Sequence, residues 1–589
     1  MKANPPILYC LRKIWLHITP SRRKQFFLLI FLALFSSLAE IFNIGAAISF
    51  IGILTNPENT FNNPIINLIV KRIGITDLSQ IVIIFTIGFI AAILISTSMR
   101  LLLLWANTKI SLAIGSEISL NIYRRSLYQP YIVHCSRNSS EIINAITGKS
   151  IGLVSSIFLP ILNIINSSFL LLGVFIALSY VNFFVTLLVF IIFTLFYLFI
   201  VIWTRKKLYF NGVISAEKST EILKILQEGL SSIRDVLIDG SQEIYSNIFH
   251  KSDLLLRRAQ GKTLLLSAFP RYILEAFVMI FIACIACFSY ANSNNIILII
   301  GIFLISAQRI LPLMQQIFTS WGSMQSARAS LNDALILLSQ PLPKFSNNKH
   351  LNNIAFRESL IFKKINFKYE KESEYILFNL NLNILKGSRV GFIGESGSGK
   401  STLIDIIMGL LNVDSGTINI DNQTISLFNN KAWQVHIAHV PQYIFLTDNT
   451  IEENIAFGVP KDKIDLEKVR IAAEQSQLSR VIEKWPDKYK TFVGERGIRL
   501  SGGQRQRIGI ARALYKQAEI IIFDEATNAL DHKTEQAIMK TIYSLSRKIT
   551  ILIVAHRLSS LTDCDQVFEI SNKSIRKVSA YKKFISNNT

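Results

Sequence analysis

Six stretches of this chain are long and apolar enough to cross a membrane, and they constrain every other reading. Residues 26–54, 81–105, 153–179, 181–203, 264–291 and 296–318 are dominated by Leu, Ile, Phe, Val and Ala. At about 1.5 Å per residue, each can span about 30 Å of hydrocarbon as a helix. Composition agrees: 50 % of the 589 residues are hydrophobic, 11 % are aromatic and mean hydropathy is +0.38, too apolar for an ordinary soluble chain of this length. The formal charge of +22 could in isolation suggest nucleic acid. Beside membrane spans it marks loops facing anionic lipid, so the expected partner is the bilayer and not nucleic acid.

The connections between spans are uneven. Those near 180 and 293 are minimal turns, whereas 106–152 and 204–263 are long and rich in Lys and Arg, including Arg124, Arg125, Arg205, Lys206, Lys207, Arg257 and Arg258. The positive-inside rule places these loops in the cytoplasm together with Arg12, Lys13, Arg22, Arg23 and Lys24 of the N-terminus. "PPILYCLRKIWLHI" reads as an amphipathic helix on the inner surface, not as a cleaved signal peptide. Helical spacing through 215–249 predicts that the membrane helices continue into the cytoplasm and end in short connecting segments near 133–140 and 231–241. In the outer loop, Ile65, Ile66, Leu68, Ile69 and Ile73 predict a short amphipathic helix, either a cap on the bundle or a substrate-handling element. Five cysteines are present, Cys10, Cys135, Cys284, Cys287 and Cys564; the Cys284/Cys287 pair lies in an apolar span, where packing is its expected role.

Around residue 318 the character changes. A Pro- and Asn-rich linker leads into alternating strand-like and helix-like segments of an α/β domain. The expected division is an interfacial helix (1–25), a transmembrane domain (26–335), a linker (336–356), a nucleotide-binding domain (357–580) and a tail (581–589). The decisive stretch is "GESGSGKS", Gly394, Glu395, Ser396, Gly397, Ser398, Gly399, Lys400 and Ser401, with Thr402 next. It follows the apolar strand "RVGFI" and precedes a helix, the setting a G-x-x-x-x-G-K-[ST] phosphate loop requires. Backbone amides there can wrap phosphates, Lys400 can reach the terminal ones, and Ser401 offers a hydroxyl to Mg²⁺. A second apolar strand ends in Asp524 and Glu525, suited to holding Mg²⁺ through water and to activating the attacking water. His556 ends a third strand and is a candidate contact to the γ-phosphate.

"LSGGQRQRIGIARAL", residues 500–514, then resembles the signature of ATP-binding cassette (ABC) transporters. Six spans followed by one cassette resemble a type IV exporter half-transporter of MsbA-like architecture: a polytopic α-helical membrane domain fused to an α/β P-loop domain. The resemblance implies an ATPase coupled to transport, with ATP and Mg²⁺ as cofactors. It implies that Tyr369 stacks on adenine, that Gln442 joins Mg²⁺ to the membrane interface, and that "VGERG" (493–497) contacts the coupling loops. It also implies that Asp531 is the D-loop aspartate, with Asn528 where serine is commoner. Ser501, Gly502, Gly503 and Gln504 would contact ATP held by the opposite cassette, so a dimer, most simply a homodimer, is expected.

Three arginines fall inside the spans. Arg271 and Arg309 come out at similar inner-leaflet depth and Arg100 near the inner boundary, with Glu275 one helical turn from Arg271. Such groups usually face a bundle interior or a cavity. Arg100 either snorkels or lines that cavity, and Arg271 and Glu275 either neutralise each other or meet substrate. Arginines suit phosphate or pyrophosphate oxygens. "MRLLLLW", "FPRYILEAF" and "QRILPL" resemble the matching regions of PglK-type flippases, which implies a polyprenyl-diphosphate-linked oligosaccharide or related glycolipid moved across the cytoplasmic (inner) membrane, with the cassette inside. A lipid A-like lipid, a polysaccharide precursor, a peptide or a drug remain alternatives, as does an ATP-gated channel.

Overall fold

Long apolar runs become long helices. The computed structural model describes residues 5–55, 78–181, 183–289, 296–342, 354–370, 372–421, 423–424, 430–526, 532–555 and 561–578. The outer-loop helix expected around Ile65–Ile73 lies outside the described residues, as do Asp531 and His556; so do the side chains of Arg309, Cys284 and Cys287. The chain divides into two compact units, Met1–Gln129 with Arg137–Pro343, and Pro130–Ser136 with Lys344–Thr589.

The first unit is helical. Helix α1 (Ile7–His17) precedes α2 (Pro20–Thr55) and α3 (Leu78–Leu127). After the short α4 (Tyr131–Ser136) comes a helical run, α5, over residues 139–181. Then follow α6 (Phe183–Ser231), α7 (Ile233–Ile238), α8 (Gln242–Ser289), α9 (Ile296–Ser326) and α10 (Arg328–Leu338). Among the described residues, five helices are long and apolar enough to cross a membrane. Helix α3 has 50 residues and α6 has 49, about 75 Å each and far more than the hydrocarbon core needs. The surplus is the predicted continuation beyond the membrane, and α4 and α7 fall at the predicted connecting segments. Helix α10 carries the helical part of the chain to Leu338, past the expected start of the linker at 336.

Two local features have chemical causes. Helix α5 widens into π-helical turns at Ala145–Lys149 and Val154–Phe158. Pro160 follows the second and has no N–H for the Ser156 carbonyl one turn back, so the regular ladder cannot run through. Helix α1 buries Cys10 and Ile14, and with Ile18 they join a core containing Ile114, Ile118 and Leu331. Its opposite face leaves Leu8 and Leu16 76 % and 67 % exposed. The i, i+4 spacing thus serves bundle packing on one side, in addition to the lipid-facing role expected from its amphipathic pattern.

In the second unit, β1 (Ser359–Phe367), β2 (Leu377–Leu385), β4 (Ser415–Ile420) and β5 (Gln423–Thr424) form an antiparallel sheet in the order β2-β1-β4-β5. The other sheet has the order β10-β9-β3-β8-β7-β6. Its strands are β3 (Arg389–Ile393), β6 (Ile437–Val440), β7 (Ile520–Asp524), β8 (Thr550–Val554), β9 (Gln566–Ser571) and β10 (Ser574–Lys577). The neighbours from β9 to β6 run parallel, and only β10 is antiparallel. Strand β8 is buried throughout and β7 over four of its five residues, the near-continuous apolar pattern of parallel strands covered on both faces. Such sheets present their sites at the C-terminal strand ends, where the motif residues lie.

Candidate nucleotide-binding site

The phosphate loop leaves β3 and turns into α11 (Lys400–Ile407), whose N-cap is Gly399 at φ +100°. A side chain at Gly399 would be strained by that backbone, and its Cβ would stand 3.1 Å from Leu377 Cδ2; this turn needs glycine. Lys400 is 7 % exposed. Its Nζ donates to the carbonyls of Gly394 at 2.6 Å and Glu395 at 2.8 Å. Burial pulls the ammonium below the ordinary lysine value, and the negative charges of Glu525 and Asp524 oppose that pull. The Ser398 hydroxyl is buried without a hydrogen-bond partner. An orphaned donor beside a lysine folded onto its own loop fits a cradle shaped for phosphate oxygens.

The carboxylates arrive from the neighbouring strands. Asp524 ends β7 in register with Val554 of β8. Glu525 follows at φ +48°, its N–H bonded to the Val554 carbonyl at 3.0 Å. Two residues beyond β6, Gln442 donates from Nε2 to Glu525 Oε2 at 2.6 Å. The structure thus joins two predicted residues that are 83 positions apart. The donor set of Ser401 hydroxyl, Asp524 carboxylate and Gln442 amide oxygen is all hard oxygen, the chemistry Mg²⁺ prefers.

The signature opens α12 (Gly502–Tyr515). Ser501 caps it: its hydroxyl accepts from Gln504 N–H at 3.2 Å, and the Gln504 side chain accepts from Ser501 N–H at 2.8 Å. This reciprocal box fixes the loop while Gly502 and Gly503 leave the positive helix end uncluttered. Tyr369, just after β1, is 39 % exposed. It packs edge-on against Phe367 with ring centres 5.1 Å apart, and its hydroxyl lies 3.4 Å from Thr402 Oγ1.

Sequence reasoning did not foresee that α4 groups with the cassette. Ile132 packs on the cassette core, and Tyr131 is close enough for burial, then the charge of Asp405, to raise its phenol to about 12. Asp405, on α11, is itself raised to about 6 by burial and by Asp524. The apolar "YIV" of α4 was the available signal.

Comparison with known proteins decides the family. The model described as "ABC transporter transmembrane region" matches residues 26–321, about half of the chain, and that described as "ABC transporter" matches 377–528. This chain belongs to the ABC transporter family. It is a multi-pass membrane protein with an ATP-binding cassette. As an ABC transporter it is 26 % identical over 493 residues to the ATP-dependent lipid A-core flippase of Haemophilus influenzae (strain 86-028NP), covering 82 % of each chain. It is 32 % identical over 262 residues to the protein of that name from Idiomarina loihiensis, covering 44 % of each. That match, like the one to the putative multidrug export protein YgaD of Bacillus subtilis at 39 % of each chain, spans less than half of the relative. The fold is that of a solved bacterial Atm1-family ABC exporter with ATP bound, with TM-score 0.76 over 96 % of each chain at 20 % identity.

Two pairs of membrane charges are described in the ABC transporter. Arg100 on α3 forms an ion pair with Glu40 on α2. Arg271 and Glu275 on α8 pair at 3.7 Å, with their side chains 54 % and 47 % exposed. One turn before Arg271, beside Pro270, Gln315 Nε2 donates to the Ser267 carbonyl at 2.8 Å, and Tyr197 donates to Gln315 Oε1 at 3.1 Å. Glu40 and Gln315 were missed. A lone carboxylate in "SSLAEIF" was a sufficient signal for the first.

Proposed function

We propose that this chain is an ATP-driven exporter that flips an amphipathic, anionic lipid across the cytoplasmic membrane. The observation that carries the reading is the Gln442–Glu525 bond beside Lys400 and Asp524, in a chain whose membrane helices also carry arginines. Lys400 would reach the terminal phosphates and Glu525 would take the proton of the attacking water. Mg²⁺, held by Ser401, Gln442 and Asp524, would neutralise phosphate charge. His556 would contact the γ-phosphate, Asp531 would serve the cassette interface, and Tyr369 would stack on adenine.

Two copies would share the work, with Ser501, Gly502 and Gly503 of one chain closing on ATP held by the other. The exposed tip of α7, where Leu237 and Ile238 are 59 % and 74 % exposed, and the exposed Tyr443 and Phe445 after Gln442 are apolar surfaces that a second copy would cover. Cassette closure would then exchange inward-open and outward-open populations of the membrane helices.

For the substrate we favour a phosphate-bearing glycolipid, with a polyprenyl-diphosphate-linked oligosaccharide as the specific form and Arg100, Arg271, Arg309 and Glu275 as its polar contacts. The lipid A-core flippase names of two relatives favour a lipid A-like glycolipid as the second reading. The test is ATP-dependent loss of headgroup accessibility in liposomes holding a fluorescent polyprenyl-diphosphate oligosaccharide or a lipid A analogue. Movement of either by wild type, but not by Glu525→Gln, supports the reading and chooses between lipids. Robust ATPase with neither lipid moved would overturn it.

A further inference from the structure

Glu40 is the buried member of an ion pair that the nucleotide cycle does not use. Its side chain is 7 % exposed, against 49 % for its partner Arg100, and its Oε2 also accepts from the Ser96 hydroxyl at 2.7 Å. Arg100 stands five residues before Trp105, whose ring is covered by Lys109 Nζ at 4.7 Å. A Trp–Lys pair of this kind marks a membrane–water boundary, which puts the ion pair about 7.5 Å away along α3. A carboxylate at such a place is strongly disfavoured unless paired. Arg271 pairs more loosely, at 3.7 Å with the half-exposed Glu275 one turn along its own helix, so both described membrane arginines are already matched with an anion.

We infer that Glu40 is a specificity-determining positioning residue: it occupies Arg100 until a lipid phosphate carrying more than one negative charge displaces it. The inference rests on the lipid-anion reading above and adds the charge class of the headgroup. Bulk phospholipids surround the protein in large excess and present a single phosphodiester charge. Such a phosphate would exchange one anion for another at Arg100 and leave the Glu40 carboxylate without its partner, with no net gain. A diphosphate brings further charge and further oxygens for the guanidinium fork. Selectivity of this kind works by rejecting the abundant competitor.

The test is lipid-stimulated ATPase in phosphatidylcholine nanodiscs, titrated with polyprenyl diphosphate or with polyprenyl methyl phosphate, a singly charged phosphodiester on the same tail, and normalised to each variant's basal rate. Wild type is expected to need about tenfold less diphosphate than phosphodiester, a ratio worth about 1.4 kcal/mol. Glu40→Gln is expected to lower both half-maximal concentrations, the phosphodiester's more, so that the ratio falls toward one. Glu40→Asp should restore it, and Arg100→Ala should raise both concentrations. Should Glu40→Gln not fold, Ser96→Ala loosens the same carboxylate and should move the ratio in the same direction. A wild type that discriminates beside a Glu40→Gln protein with an unchanged ratio, or with a uniform loss of response, would overturn the inference and leave the lipid-anion reading standing. No response of either protein to either lipid, with basal ATPase intact, would remove both.

Discussion

At the scale of single residues, the cassette holds its reactive groups in a restrained arrangement. Lys400 bonds to loop carbonyls and Glu525 to Gln442, so nucleotide must exchange existing partners for phosphate. If Glu525 is the general base, Glu525→Gln retains ATP binding but loses turnover by about 10²–10⁴-fold, the usual contribution of such a base; binding of a fluorescent ATP analogue beside phosphate release checks both halves. His439 permits a different test. Its Nε2 is buried without a partner, in a cavity of about 600 Å³ also lined by Met408, Phe457 and Arg512, and burial lowers its value from 6.5 to about 4. The folded cassette therefore keeps this ring neutral where the unfolded chain protonates it. The stability it contributes is full above pH 6.5 and lost as pH falls toward 4. His439→Leu should accordingly flatten the fall in thermal midpoint of the full chain between pH 6.5 and 5. The phosphate loop, Asp524, Glu525 and the signature were legible in sequence because each motif is contiguous and its chemistry is local. The Gln442–Glu525 bond and the orphaned His439 were not, because they depend on which strands become neighbours.

At the scale of elements, the spans were legible because hydrocarbon thickness demands length and apolarity, both of which are written in the chain. What the pattern did not contain is how closely helices approach. Gly212 on α6 packs against the backbone of α9, where an added Cβ would collide with the Ser326 carbonyl. Carbonyl oxygen cannot rotate away as a side chain can, so Gly212→Ala forces the helices apart. Overpacking of this kind costs about 1–3 kcal/mol, read as a lower thermal midpoint in detergent. Gly88 on α3 is the control, since nothing lies within 4 Å of its added Cβ; there alanine should hold or raise stability, by up to about 1 kcal/mol, through helix propensity. The π-turns of α5 belong to the same class of hidden feature. Pro160 interrupts the ladder after the second of them, but the widened form of the helix was not read from the sequence.

At the scale of the molecule, one chain carries one phosphate loop and one signature, and the proposed cycle places them at opposite sides of a shared site. This makes a prediction that sequence and single-chain geometry cannot imitate. Take Lys400→Met in one copy and Ser501→Arg in the other. Each variant alone has both sites broken, because every site then lacks either its lysine or its serine. A mixed dimer gathers both lesions into one site and leaves the other whole. With independent sites, the purified mixed dimers should show about half of wild-type ATPase, since each has one working site of two. The converse pairing fixes the interpretation. When Lys400→Met and Ser501→Arg are placed in the same copy and mixed with wild type, a shared-site dimer has one lesion in each site and contributes nothing. Sites built within single chains would instead leave the wild-type half of that dimer active and show no recovery in the first mixture. Tagged purification of the mixed dimers in both cases, followed by phosphate release, therefore decides whether Ser501 acts on its own chain's nucleotide or on its partner's.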